Sequence, residues 1–234
     1  MVPVAEKRFG HPSDCPLFRG ISQEGLEELG HIAAPVKLEP QERLLTDPEH
    51  SREIWMIKEG LVSLIYGDAE GRDATVMLLD AGDLFGAIGW QERLDYSQNV
   101  VALKPTVLWR MMQQQMENLF NKYPVLGYRI TQFSWRRIAR LEQRLAELMT
   151  KSVRVRLASL LLNLAADYGE DKAEGIRSLG LTVTHDDLSR LVGSSREMVS
   201  KIVGQFRDAG WINSSRKRIE LTNRKVLQEI AGGH

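Results

Sequence analysis

The chain is short of cysteine. Cys15 is the only one in 234 residues, which excludes an internal disulfide and any iron–sulfur cluster drawing four thiolates from one chain. It also lacks a long apolar run: no stretch approaches the roughly eighteen residues a membrane span needs. The N-terminus shows no basic-then-apolar leader pattern, so a cytoplasmic protein with no membrane partner is expected. Excess charge of either sign is missing too, with 31 Lys+Arg against 31 Asp+Glu, a balance that disfavours indiscriminate coating of nucleic acid. The five histidines, His11, His31, His50, His185 and His234, have no metal-ligand spacing. Carboxylates such as Glu142 and Glu147 fall on helical faces where solvation accounts for them. No metal site, catalytic residue or enzyme activity is therefore expected. What is present, 43% hydrophobic and 26% charged residues, is the make-up of an ordinary globular chain with room for two domains.

The densest functional signal runs from Leu181 to Val203. Thr184 followed three residues on by Asp187, and Ser194 followed by Glu197, both have capping-box form, and Gly193 falls in the turn between the two helix starts. That spacing predicts a helix-turn-helix. In the second helix Val199, Ile202, Val203 and Phe206 recur at i, i+3, i+4 and i+7 as one buried stripe. Arg196, Glu197, Ser200 and Lys201 fall on the other side, where a helix entering the major groove presents side chains to base edges. Glu197 carries the most information, because a carboxylate facing phosphates is repelled unless it accepts a hydrogen bond from a base.

Downstream, residues 208–221 alternate like two short strands around the basic turn Arg216-Lys217-Arg218, the composition of a wing. Those three residues are expected along phosphates, with Thr184 and Ser195 at the two helix starts. Between Arg190 and Lys225 basic residues outnumber the acidic Glu197, Asp208 and Glu220, so positive charge gathers where DNA would lie.

Upstream the character changes. Residues 54–57, 61–66, 74–79, 100–103 and 108–111 are short β-rich pieces punctuated by glycine, which predicts an all-β barrel or roll. Pro124 then fits the first turn of a long helix in which Ile138, Leu141, Leu145 and Leu148 keep a 3-4-3 spacing, the register of a coiled-coil dimer seam. Thr150-Lys151-Ser152 reads as a hinge, with Ser152 capping a helix striped by Leu157, Leu160, Leu161 and Leu164. The expected architecture is α+β: a β-roll sensor domain over 1–123, a dimerisation helix and hinge over 124–150, and a winged helix-turn-helix over 151–234.

A β-roll, a long helix and a C-terminal winged helix-turn-helix, in that order, resemble the Crp/Fnr family of bacterial transcription regulators. The most specific motif is Val192-Gly193-Ser194-Ser195-Arg196-Glu197-Met198-Val199, similar to the recognition-helix entry of the cAMP receptor branch. There the Arg and Glu, here Arg196 and Glu197, read a TGTGA-type half-site. Lys201 stands where that branch has Arg, and an ammonium does not repeat the bidentate fork. Gly60, Gly67, Gly71 and Gly82-Asp83-Leu84-Phe85-Gly86 match turn glycines of the family roll. The resemblance implies a homodimer on double-stranded DNA, working with RNA polymerase.

The effector pocket implied by the resemblance comprises Phe85, Gly86, Ala87, Ile88, Tyr96 and Ser97. In cyclic-nucleotide-binding members the glycine matching Gly86 is followed by a Glu that holds the ribose, and an Arg-Ser pair grips the phosphate. Here those positions carry Ala87 and Tyr96-Ser97, and the Thr-Ser that touches the base falls at Leu141-Glu142. Only the nearby Arg93, with a rearranged loop, offers a guanidinium in return. Losing a bidentate Arg and the ribose acceptor forfeits several kcal/mol on the order of one or two charge-assisted hydrogen bonds. The usual cAMP contacts are thus expected to be lost, no cofactor is assigned, and the small-molecule effector is unknown. The Asp14-Cys15-Pro16 step is the one haem-sensor feature; because Pro16-Leu17-Phe18 with Ile21 is a common opening of the family fold, Cys15 is read as incidental. The tryptophans, Trp55, Trp90, Trp109, Trp135 and Trp211, are read as core or interface anchors. Two alternatives stay open: a cyclic-nucleotide-dependent activator with an altered pocket, and a regulatory cyclic-nucleotide-binding module for a partner enzyme or channel.

Overall fold

The computed structural model describes residues 9–46, 52–67, 73–87, 97–172, 176–215 and 218–232. They form two compact units that divide between Glu142 and Gln143.

The N-terminal unit begins with α1 (Gln23–Ile32), whose first turn is capped by Ser22. The strands β1 (Ala34–Leu38), β2 (Arg43–Thr46), β3 (Glu53–Glu59), β4 (Leu61–Gly67), β5 (Asp73–Asp80), β6 (Leu84–Gly86), β7 (Ser97–Ala102) and β8 (Thr106–Met112) follow. They pair antiparallel in two four-stranded sheets, ordered β1-β8-β3-β6 and β2-β7-β4-β5. The unit ends with α2 (Gln113–Lys122) and most of α3 (Val125–Thr150). The period-two alternation of a strand explains how β3 serves two cores at once. Trp55 and Ile57 join Val62, Leu64, Leu79, Phe85, Val100 and Leu108 in one buried cluster. Ile54 and Met56 point the other way, into a cluster with Phe18, Leu29, Trp109, Met116, Leu119 and Leu126. A strand buried on both faces reads as a continuous apolar run, which is why β3 and β4 are so visible in the sequence. Cys15 is buried in the second cluster, its thiol 4.0 Å from the Gly82 carbonyl oxygen.

The C-terminal unit contains α4 (Val153–Tyr168), α5 (His185–Val192), α6 (Arg196–Asp208) and α7 (Arg224–Ala231). Its small antiparallel sheet is ordered β11-β12-β10-β9, from β9 (Glu170–Asp171), β10 (Arg177–Ser178), β11 (Ile212–Ser215) and β12 (Arg218–Leu221). Ser152 caps α4 as the hinge reading requires, accepting from the Val155 amide. The buried stripe of α4 is Leu157, Ala158, Leu161, Leu164 and Ala165, while the expected Leu160 is only half-buried. Against it lie Leu188, Val199, Val203, Phe206, Ile219 and Leu227, all buried. Trp211 is an anchor here, its ring 5.5 Å from that of Phe206.

The long-helix stripe needs correction. On α3 Ile138 and Leu145 are exposed as expected, but Leu141 packs on the roll cluster of Trp55 and Phe85. Leu148 stays exposed, though its Cδ2 reaches toward Gly193, where a Cβ would lie 2.7 Å from it. The exposed apolar side chains of this part of α3 are Trp135 (70% exposed), Ile138, Leu145 (58%), Leu148 and Met149 (78%), with exposed Glu142 between. A single 3-4-3 spacing is compatible with either side of a two-faced helix, and the neighbouring roll claims one of them.

Candidate DNA interface and effector pocket

The DNA-facing site is built on two helix starts. Thr184 accepts from the Asp187 amide at 3.0 Å, and the Asp187 carboxylate accepts from the Thr184 amide at 2.8 Å and from its hydroxyl at 2.7 Å. The expected capping box therefore begins α5, and both polar groups of Thr184 are committed to it. Gly193 ends α5 in the left-handed region, φ 70° and ψ 56°, where a side chain is strained. The expected cap of α6 shifts by one residue. Ser194 donates its amide back to the Ser189 carbonyl, completing the preceding helix, so Ser195 accepts from the Met198 amide at 3.2 Å and becomes the cap. Glu197 then stands at the second helical position and does not close a box. The backbone N–H of Glu197 and the nearby Ser195 hydroxyl, with the Arg196 charge, hold its carboxyl below the ordinary carboxylate pKa.

On α6, Val199, Ile202, Val203 and Phe206 are buried as the period predicts. Arg196, Glu197 and Lys201 are exposed on the opposite side. Ser200, also expected among the base contacts, is half-buried with its hydroxyl 2.9 Å from His185 Nδ1, where it ties α6 to α5. The sequence reading missed Met198, which is exposed on the same turn as Glu197 and breaks the polar pattern of that face. In the wing β11 and β12 pair from Ile212–Leu221 to Ser215–Arg218, and Arg218 is exposed. Arg216 and Lys217 lie outside the described residues.

In the expected effector pocket, Phe85 is buried and stacked on Trp55, with ring centroids 6.2 Å apart and planes 9° apart. Gly86 has φ 90°, and a side chain there would fall onto the Glu53 carbonyl oxygen. Ala87 is buried and donates its amide to that same oxygen at 2.9 Å. The backbone of Ser97 pairs with Gly67 at the start of β7. Ile88, Tyr96, Gly71, Trp90 and Arg93 lie outside the described residues. Two arginines of α3 that the sequence reading did not single out hold this region. Arg137 Nη1 donates to the Leu84 carbonyl at 3.0 Å. Arg140 forks onto Asp83, Nη2 to Oδ1 at 2.9 Å and Nη1 to Oδ2 at 3.4 Å. Burial lowers the Arg137 pKa, with Arg140 adding to the effect and Tyr66 and Asp83 opposing it.

A roll of two antiparallel sheets, a long helix and a winged helix-turn-helix with an outward Arg/Glu/Lys face define a DNA-binding regulator with a ligand-type roll. Residues 155–230 match the Crp-like helix-turn-helix domain, and residues 35–123 the cyclic nucleotide-binding domain. The transcriptional regulator SdrP of Thermus thermophilus is 31% identical over 179 residues, covering 76% of this chain and 83% of SdrP. The global nitrogen regulator of Synechococcus elongatus is 28% identical over 209 residues, 86% of this chain and 93% of that protein. A solved Crp/Fnr-family transcriptional regulator of Thermus thermophilus superposes with a TM-score of 0.69 at 30% identity, covering 85% of this chain and 98% of its own. The chain belongs to the Crp/Fnr family of transcriptional regulators. Among the described residues no helix is long and apolar enough to cross a membrane.

Proposed function

We propose that the chain acts in the cytoplasm as a homodimeric, sequence-specific regulator on a TGTGA-like palindrome, together with RNA polymerase and without enzymatic activity of its own. Residues 1–123 sense, 124–150 dimerise and 151–234 bind DNA. The observation that carries this reading is the exposed start of α6, where Arg196, Glu197 and Lys201 project from a helix whose other side is fully packed. Arg196 suits guanine O6/N7 and Glu197 suits cytosine N4. Arg216, Lys217 and Arg218 of the wing, with the Ser195 hydroxyl, serve the phosphates.

The exposed stripe Trp135, Ile138, Leu145 and Met149 supports self-association, since it repeats with coiled-coil spacing and a palindrome calls for a two-fold partner. The usual cAMP pose is disfavoured because the buried Ala87 methyl offers the ribose no acceptor. Gel shifts with a TGTGA palindrome and a scrambled duplex, with sedimentation on the same sample, test the reading. A dimer that prefers the palindrome supports it; equal binding to both duplexes, or none, favours the alternative of a regulatory module for a partner protein.

A further inference from the structure

The exposed face of α6 has two edges, and they differ. About 100° separates successive residues of a helix, so Glu197 and Lys201 share the middle of that face while Ser200 and Met198 fall on opposite edges, about 160° apart. The Ser200 edge is turned to α5, its hydroxyl 2.9 Å from His185 Nδ1. The Met198 edge points away from α5. Two turns along it Gln205 accepts from Arg154 of α4 at 3.1 Å, and the Arg154 guanidinium lies over the Phe206 and Trp211 rings. That edge is therefore engaged with its own domain near the end of α6 and open at the start, where Met198 is 44% exposed. The Met198 backbone is fixed, because its amide donates to the Ser195 cap.

An apolar side chain on this turn matches one feature of a base edge. A thioether sulfur is a weak acceptor without charge, so Met198 gains little from a phosphate or from an amino or keto group. The C5-methyl of thymine is the apolar group that the major groove displays. It stands at the outer rim of its base pair, toward its own backbone, where the edge of an inserted helix passes rather than the middle. We propose that Met198 reads a thymine by packing against that methyl, beside the guanine and cytosine given to Arg196 and Glu197. Its unbranched side chain has three rotatable bonds and adapts to a small apolar target. The proposal rests on the reading of α6 as the base-contacting helix and adds a specificity-determining residue to it.

The test measures binding of the full chain to a TGTGA palindrome, to a scrambled duplex, and to palindromes in which each thymine of one half-site, on either strand, is replaced in turn by deoxyuridine, which lacks only the C5-methyl. Wild type should lose about fourfold in affinity at one of these positions, the worth of one buried methyl. In Met198→Ala the same replacement should change affinity by less than about 1.5-fold, whereas Met198→Leu should keep the penalty. The side chain is exposed, so neither substitution should move the urea midpoint. A palindrome preference in which no thymine methyl matters, or a methyl penalty that persists in Met198→Ala, overturns this role and leaves the regulator reading standing. No preference of wild type for the palindrome over the scrambled duplex overturns the regulator reading and this role with it.

Discussion

Arg156 of α4 donates its Nε–H to the backbone carbonyl of Val192, 3.0 Å away at the C-terminal end of α5. The same guanidinium reaches the carbonyls of Gly193 at 3.2 Å, Lys151 at 2.6 Å and Leu148 at 3.5 Å. Helix C-termini leave carbonyls without partners and carry partial negative charge, so one arginine satisfies two helix ends together. It fixes the turn between α5 and α6 to the hinge before α4. Arg156→Met keeps the aliphatic stem and should cost about 2–3 kcal/mol of stability, the worth of a charge-assisted set of hydrogen bonds. Thermal or urea unfolding measures it, and a loss under about 0.5 kcal/mol would show these contacts to be incidental.

The cap of α6 gives a second check. Ser195→Ala should destabilise the chain by about 1 kcal/mol without DNA present, because the Met198 amide loses its acceptor. Ser194→Ala removes no cap and should change stability by no more than about 0.5 kcal/mol. Urea midpoints of the two variants compare them directly; the reverse order would return the cap to Ser194.

The proposed seam makes opposite predictions for neighbouring positions. Leu145→Asp places two charges in an apolar contact and should weaken association by several kcal/mol, on the order of a buried unpaired charge. Glu142 lies on the same exposed stripe, so Glu142→Leu should tighten the dimer. Sedimentation equilibrium reads both. A tight dimer retained in Leu145→Asp would place the interface elsewhere.

Cyclic AMP should neither bind with micromolar affinity nor tighten DNA binding, since Ala87 and Tyr96 stand where the ribose and phosphate contacts belong. Calorimetry answers this without reference to DNA. Micromolar affinity would mean another cation, such as Arg93 or Arg137, supplies the countercharge.

Much of the architecture is legible in the sequence, for identifiable reasons. Strands β3, β4, β5 and β8 announce themselves because they are long and apolar, whereas β1, β2 and β6 are short and carry little period. The helix-turn-helix is legible because capping residues, Gly193 and the Val199–Phe206 stripe agree with one another. The choice between Ser194 and Ser195 is not, because both are good caps and the left-handed geometry at Gly193 decides. Arg137 and Arg140 are hidden for another reason: a charged residue on a long helix looks solvated until the fold brings Leu84 and Asp83 beneath it. Leu141 fits a dimer seam by spacing alone, and only the packing of the roll shows that it lies against the Trp55 and Phe85 cluster.

The central claim, that the start of α6 reads base sequence, is tested most directly by selection from a randomised duplex pool. Wild type, Arg196→Ala, Glu197→Ala and Arg218→Ala are selected in parallel at two salt concentrations. Wild type should enrich a TGTGA-like palindrome. Arg196→Ala should lose about 1–3 kcal/mol on that palindrome and much less on random DNA. Glu197→Ala should relax the choice at the facing cytosine while non-specific binding holds or rises, because a repelled carboxylate is gone. Arg218→Ala should weaken all sequences alike and reduce the salt slope by about one unit. Unchanged base preferences in both Arg196→Ala and Glu197→Ala would contradict the account.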